Sequence, residues 1–352
     1  MLSEQQIQEI RVELEKSVNP LFFFDDDTDG LTSFLLLYRK YKKGHGVPVK
    51  APQTEENLYL RKIQEYSPDL VIVLDRPVLT QNLLNQIQVP VLWIDHHEPL
   101  ERQGVRYFNP MVLTKGDNRP TSYWCYQIAQ QDLWIALVGI ISDWYVPEFV
   151  KEFEHKELIG KAKTPDDILF ETEFGKLIKV FNFALKGRTP DIRKHIATLM
   201  KIESPLEILN QTSPRGKFIY RHYEKINQGY EAILQDALAT KSKDDVFVFT
   251  YPTTQQSFTG TLSNELLHRL NDKIIIIARE KDGEMRVSIR GKKTVVLPLV
   301  KSALEKANGS GGGHEMACGA NMKKDKFPLF VEEMRKGLKH QSKTMRASAI
   351  KS

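Results

Sequence analysis

Three short apolar runs near the start of the chain each close on an aspartate: LFFF at 21–24 before Asp25, DLVIVLD at 69–75 and VPVLWID at 89–95. Runs this short, with no polar alternation, fit strands buried on both faces of a parallel sheet. The segments between them carry helical spacing, in LTSFLLLYRKYKK at 31–43 and LTQNLLNQIQ at 79–88. A strand, a helix and a parallel strand form a crossover that lays the helix on one face of the sheet. All such strands point one way, so whatever follows them gathers at one edge, where ligands bind in sheets of this kind. The pattern predicts an α/β domain with Asp25, Asp75 and Asp95 along that edge.

The 352 residues exceed one small core, and two domains are expected. Residues 121–210 read as mainly helical, and YWCYQIAQQDLWIALVGIISDW within them is apolar enough to be buried. TPDIRKHIATLMKI at 189–202 predicts a helix capped by Thr189, with Pro190 at its first position. The polar, amphipathic stretch 214–241 reads as a connecting helix. A second unit begins near Asp245 with the strand VFVFTY at 246–251 and the helix SNELLHRL at 263–270. KIIIIAR at 273–279 and EMRVSIR at 284–290 follow as paired strands about a turn at Lys281-Asp282-Gly283. VVLPLVKSALEKA then leads into NGSGGGHEMACGA. The expected organisation is a catalytic α/β domain over 1–210 with a parallel sheet and a helical extension. A helical linker over 211–242, a smaller α/β domain over 243–340 and a basic tail over 341–352 follow.

Composition narrows the function classes. Hydrophobic residues make up 41% and charged residues 27%, as in an ordinary globular chain, and no apolar run is long enough to span a bilayer. The charged start MLSEQQIQEIRVELEK lacks the apolar stretch of a signal peptide, so a cytoplasmic location is the default expectation. The two cysteines, Cys125 and Cys318, form neither a disulfide framework nor a cysteine-based zinc site. The net charge of +5 is mildly basic, and Arg335, Lys336, Lys339, Lys343, Arg346 and Lys351 follow the last acid, Glu333, so the end of the chain either holds phosphates loosely or is simply a solvated, frayed terminus.

The acids carry the chemistry. DDDTDG at 25–30 puts Asp25, Asp27 and Asp29 at alternate positions, which share a side in an extended segment. Their carboxylates repel one another and resist burial together, and a divalent cation resolves that repulsion. Gly30 permits a tight turn into the following helix. Asp75 closes the second run, Asp95-His96-His97 closes the third, and Asp143 stands in IISDW. Imidazole with carboxylate suits manganese, iron or zinc better than calcium. Adjacent histidines on an extended segment face opposite ways, so one can bind metal while the other faces substrate or packs. Asp95 is the candidate that fixes the ligating ring. Alone, each piece has an ordinary explanation: a solvated acidic turn, a capping aspartate, a structural histidine pair. Together they suffice for two metals sharing an acid, typically ~3.5–4 Å apart, which make hydroxide from water at neutral pH and stabilise charge on phosphorus.

In this order, DDDTDG, VIVLD, WIDHH and GIISDW resemble the four motifs of the DHH phosphoesterases. GGGHEMACGA resembles the substrate-binding signature of the DHH-associated C-terminal domain, and RVSIRGKK at 286–293 the strand that carries its arginine. The resemblance covers about residues 20–340 and implies that Asp27, Asp29, Asp75, His96 and Asp143 are metal ligands. Asp25 matches an acid common in RecJ-like members, His97 the residue that contacts the scissile phosphate, and Asp95 a supporting acid. Nano-RNase-like members have a histidine where Phe23 stands, which favours the RecJ-like branch.

In the second domain Gly311, Gly312 and Gly313 let backbone N–H groups approach an anion, His314 can donate to phosphate or ribose, and Arg290 can grip phosphate bidentately. Ser288 and Asn264 are weaker candidates there. The resemblance implies two domains across a cleft. The first holds two Mn2+ ions, with Mg2+ as the alternative, and the second grips a strand end. The expected activity is exonuclease cleavage of single-stranded DNA or RNA. The alternatives are an oligoribonuclease or cyclic-dinucleotide phosphodiesterase and a non-catalytic replisome scaffold. Replication or repair proteins are the expected partners, and no membrane is.

Overall fold

The computed structural model describes residues 1–50, 56–242, 244–252 and 256–349, with side chains up to Gln341. Two compact units meet in sequence at Glu224 and Lys225. The helix Pro214–Ala239 runs through that boundary, over the stretch read as a connecting helix.

The first unit holds five strands, β1 (Pro20–Asp25), β2 (His45–Val49), β3 (Leu70–Leu74), β4 (Val91–Ile94) and β5 (Arg106–Phe108), in the order β2-β1-β3-β4-β5. Every pairing is parallel. The three runs that announced themselves are the inner strands, buried on both faces. The outer two gave no clear signal. HGVPV is half exposed and contains Pro48, which an edge strand tolerates, and β5 is only three residues long. On one face Phe23, Val71, Val73 and Trp93 pack with Tyr59 and Leu83 from covering helices. Phe22 and Phe24 point the other way, against Phe34 of the helix Thr28–Tyr41 at ring separations of 5.5 and 4.9 Å. Among the described residues, no helix is long and apolar enough to cross a membrane.

Two glycines set how closely the site's elements approach. Gly30 lies inside the helix Thr28–Tyr41 rather than in a turn before it. Its role is proximity: a Cβ there would come within 2.6 Å of the Asp25 carbonyl oxygen and 2.7 Å of its nitrogen. Gly139, in the helix Leu133–Ser142, faces Ser122 and Thr32. The other corrections to the sequence reading are local. Thr189 is the first residue of its helix, and Arg188 stands at the cap without a side-chain bond.

The second unit is a mixed sheet in the order β6-β7-β8-β10-β9, formed by Val246–Tyr251, Ile274–Lys281, Glu284–Arg290, Ala317–Lys323 and Ser310–His314 respectively. Only β6 and β7 are parallel, and the hairpin turn holds Asp282 and Gly283 at φ of 54° and 79°. Ile276, Val287, Ile289 and Cys318 pack with Val300, Leu304 and Phe330 from the helices Leu297–Ala307 and Phe327–Ala349. The glycine run is an edge strand. The basic tail proves helical as far as Ala349; Lys343, Arg346 and Lys351 lie outside the residues whose side chains are described. Arg335 pairs with Asp244 and Lys336 with Glu332 and Glu333, so these two cations have protein partners.

Replacing a helical glycine by alanine ordinarily stabilises by about 1 kcal/mol. At Gly139 the new Cβ would fall 2.6 Å from Ser122 Oγ and upon Thr32 Oγ1, which the carbonyls of Thr28 and Asp29 hold at 2.9 and 3.1 Å. Overpacking costs about 1–3 kcal/mol and outweighs the propensity gain. Gly139→Ala is therefore expected to lower the denaturant midpoint; an unchanged or raised midpoint would contradict this packing.

Candidate metal centre

The carboxyl ends of β1, β3 and β4 bring the motif residues together. Asp27 caps the helix Thr28–Tyr41, its Oδ1 accepting from Gly30 N at 2.9 Å. Two residues on, Asp29 is buried and meets the start of the helix Thr121–Ala129, accepting from Thr121 N at 2.8 Å and Ser122 N at 3.0 Å. That helix has no side-chain cap from its own Pro120. Asp29 supplies one from far along the chain, and the helix N-terminus compensates its charge. Asp75 stands beyond β3 with φ of 57°, a left-handed conformation that aspartate tolerates better than most residues. Its side chain is 2% exposed and accepts from Thr121 Oγ1 at 3.1 Å. Asp143 ends the helix Leu133–Ser142, is 38% exposed, and precedes Trp144 at φ of 64°.

The histidines depart from expectation. Asp95, His96 and His97 lie past the end of β4, where the chain bends at His97 instead of continuing as a strand, and the two rings share a side, 4.6 Å apart. Asp95 fixes His97, not His96: Asp95 accepts from His97 Nδ1 at 2.7 Å and from its backbone N at 3.1 Å. Tyr107 OH, 3.2 Å away, completes the hold on Asp95. The His96 ring is set instead by the Asn118 carbonyl, 3.0 Å from Nδ1. A proton on Nδ1 leaves Nε2 as a lone-pair donor. Nε2 lies 3.4 Å from both Asp75 Oδ1 and Asp143 Oδ2. Two groupings suited to a cation result, Asp75 with His96 and His97, and Asp29 with His96 and Asp143. Asp25 and Asp27, both predicted ligands, are in neither; Arg76 binds Asp25 and also donates to the Val49 carbonyl at 3.0 Å.

In the second unit Ser288 is buried and bonded to Ser263 at 2.8 Å, so it ties sheet to helix. Asn264 Oδ1 accepts from Arg290 Nε at 2.7 Å and aims the guanidinium. Burial lowers Arg290 to about 10, and no carboxylate pairs with it among the described residues. Gly312 and His314 are half-buried and exposed positions of β9, whose outer edge has no neighbouring strand among the described residues.

The electrostatics favour a cation. Burial, joined by Asp29, raises Asp27 to about 6. Burial raises Asp143 to about 6 although His96 opposes it, and Asp25 to about 7 with help from Asp27. Burial, then Asp29 and Asp27, lift Asp75 well above the ordinary value of 3.8. Burial would lower His96, but Asp143 and Asp29 prevail and raise it. A hard, mixed carboxylate and imidazole donor set in this state fits a divalent ion.

Protonation of these acids is linked to stability. Acids raised from 3.8 to about 6–7 bind protons more tightly when folded. Their stabilising contribution is full below the unfolded value and is lost as pH rises through the folded values. A cation needs the ionised forms and acts oppositely. Added Mn2+ is expected to raise the melting temperature at pH 8 and to do little at pH 5; an equal shift at both would contradict binding by these carboxylates.

The DHH family N-terminal domain model matches residues 21–141 and the DHHA1 domain model residues 243–340. Among solved structures, RecJ from Thermus thermophilus in complex with Mn2+ superposes at a TM-score of 0.66 with 16% identity, covering 95% of this chain and 55% of that one. An exonuclease RecJ bound to manganese gives 0.63 at 16% identity, covering 95% and 94%. Cdc45 from Entamoeba histolytica gives 0.50 at 12% identity, covering 94% and 98%. The chain thus spans about half the length of the Thermus protein, and these identities speak for shared fold. No curated protein sequence matches the chain. With both domain models matched in order on a RecJ-like fold, the chain carries a DHH family N-terminal domain followed by a DHHA1 domain.

Proposed function

We propose that the protein is a metal-dependent phosphodiesterase, a RecJ-like exonuclease that shortens single-stranded DNA or RNA from an end. The observation that carries this reading is the convergence of Asp29, Asp75, His96, His97 and Asp143 on one edge of the sheet, with Asp27 beside them. Asp27, Asp29, Asp75, His96 and Asp143 would hold two divalent ions, manganese by their donor mix. Bound there, the ions supply an acidified water and neutralise charge on the phosphate.

The chain's own groups do the rest. The Asn118 carbonyl keeps the His96 Nε2 lone pair turned to the acids, and the helix start at Thr121 fixes Asp29. Asp95 holds the His97 ring, which in this reading donates to a non-bridging phosphate oxygen. In the second unit Arg290, aimed by Asn264, would grip a terminal phosphate in place of a carboxylate. Gly311, Gly312, Gly313 and His314 would line the strand end, and a grip on an end makes the cleavage exonucleolytic. DNA repair or RNA turnover in the cytoplasm, beside replication or repair proteins, is the setting such an activity serves.

The test is a time course with Mn2+ on single-stranded DNA and RNA 20-mers labelled at either end, beside a dinucleotide. Stepwise shortening from one end is expected. His96→Ala and Asp143→Asn should each reduce it at least ~100-fold, since loss of even a supporting partner of a metal ligand costs about 10–100-fold. Cleavage of the dinucleotide alone would contradict the exonuclease reading and make the protein a small-substrate phosphodiesterase. Metal binding with no cleavage would make it a scaffold.

A further inference from the structure

A cleft of about 910 Å³ opens in the first unit along β2, away from the metal-ligating side chains. β2 forms its wall, with the helices Glu56–Tyr66 and Thr189–Leu199 beside it. Its volume is at the upper end of the range of about 300–1,000 Å³ that takes a drug-sized ligand. Four cations line it, Lys50, Arg61, Lys62 and Arg193. The acids beside them are fewer: Glu65 binds Lys62, and Asp26 lies 3.8 Å from Lys50. Arg61 and Arg193 are exposed and have no ion pair among the described residues. The two arginines stand on different helices beside the cleft, Arg61 on Glu56–Tyr66 and Arg193 on Thr189–Leu199. An aromatic surface adjoins them, where Tyr66 stacks on His45 at 4.3 Å and 25°.

The strand β2 that walls the cleft ends beside the metal edge. Val49 of β2 is in register with Asp25, and Arg76 bridges the Val49 carbonyl and the Asp25 carboxylate. Lys50 follows immediately, beside Asp26. From there β2 runs back to His45, four residue steps of about 3.3 Å each, or roughly 13 Å. That length spans more than one backbone phosphate of a single strand. A basic groove with stacking rings is the combination that holds single strands without regard to sequence.

We propose that this cleft is a second contact for single-stranded nucleic acid, binding the phosphates of a strand that continues beyond the cutting site. The proposal rests on the nuclease reading for its substrate class. It makes affinity depend on strand length, because a dinucleotide held at the metals does not reach Arg61 or Arg193.

The experiment compares wild type with Arg61→Ala/Arg193→Ala, after matched melting curves establish that both fold. Binding of a fluorescein-labelled 20-mer is read by anisotropy in EDTA across a salt series, and dinucleotide hydrolysis is read with Mn2+. The variant is expected to bind the 20-mer about tenfold more weakly. Each phosphate contact on a single strand contributes about 0.7 to the salt slope, so its slope should be shallower by about 1.4. Dinucleotide turnover should stay within twofold. Equal 20-mer affinity and slope in the two proteins would overturn the proposal, as would a matching fall in dinucleotide turnover. Binding is read without turnover, so a wild type that cuts nothing would refute the nuclease reading while the anisotropy comparison still decides the cleft.

Discussion

The mutual repulsion of Asp27, Asp29, Asp75 and Asp143 is the constraint around which the first unit is arranged. Ionised carboxylates this close together are costly to bury. The fold brings them together because parallel strands deliver their carboxyl ends to one edge, and it meets the cost piecemeal. A helix N-terminus faces Asp29, a hydroxyl faces Asp75, and an imidazole stands 3.4 Å from Asp75 and Asp143. Arg76 draws Asp25 aside. What remains are Asp27 and Asp143 raised to about 6, which a divalent ion stabilises in their ionised form and a proton partly satisfies.

Close packing makes this arrangement specific. Gly30 lets the helix Thr28–Tyr41 start against the Asp25 backbone, and Gly139 lets Thr32, Ser122 and the helix carrying Asp143 share one contact. The residues that bind the acids and those that pack beneath them are therefore neighbours. Thr32 supports Gly139, Ser122 donates to Asp29, and a shift in either helix would move a carboxylate. Backbone strain accumulates nearby too, at Asp75 and Trp144, both left-handed.

Much of this was legible in the sequence, for physical reasons. β1, β3 and β4 are buried on both faces, so their residues had to be uniformly apolar, and the acids that end them stand out by contrast. The hairpin around Gly283 declared itself by its turn residues. Other parts left no readable trace. The group that orients His96 is a backbone carbonyl at Asn118, which any residue would supply. Thr121 and Ser122 matter as a helix start meeting an acid ninety-odd positions away, a pairing that exists only once the chain is folded. β2 and β5 lie at the sheet margins, where burial imposes no pattern, and β9 is glycine, which has no side chain to alternate. Arg76 carried a signal that went unread, a cation directly after Asp75 at the strand end.

The most direct test of the central claim is anomalous diffraction at the manganese edge from crystals of the protein grown with Mn2+. The expected result is anomalous density between His96 and the carboxylates of Asp27, Asp29, Asp75 and Asp143, coordinated by their nitrogen and oxygen atoms. Manganese bound elsewhere, with these side chains unmoved and none of them coordinated, would contradict it.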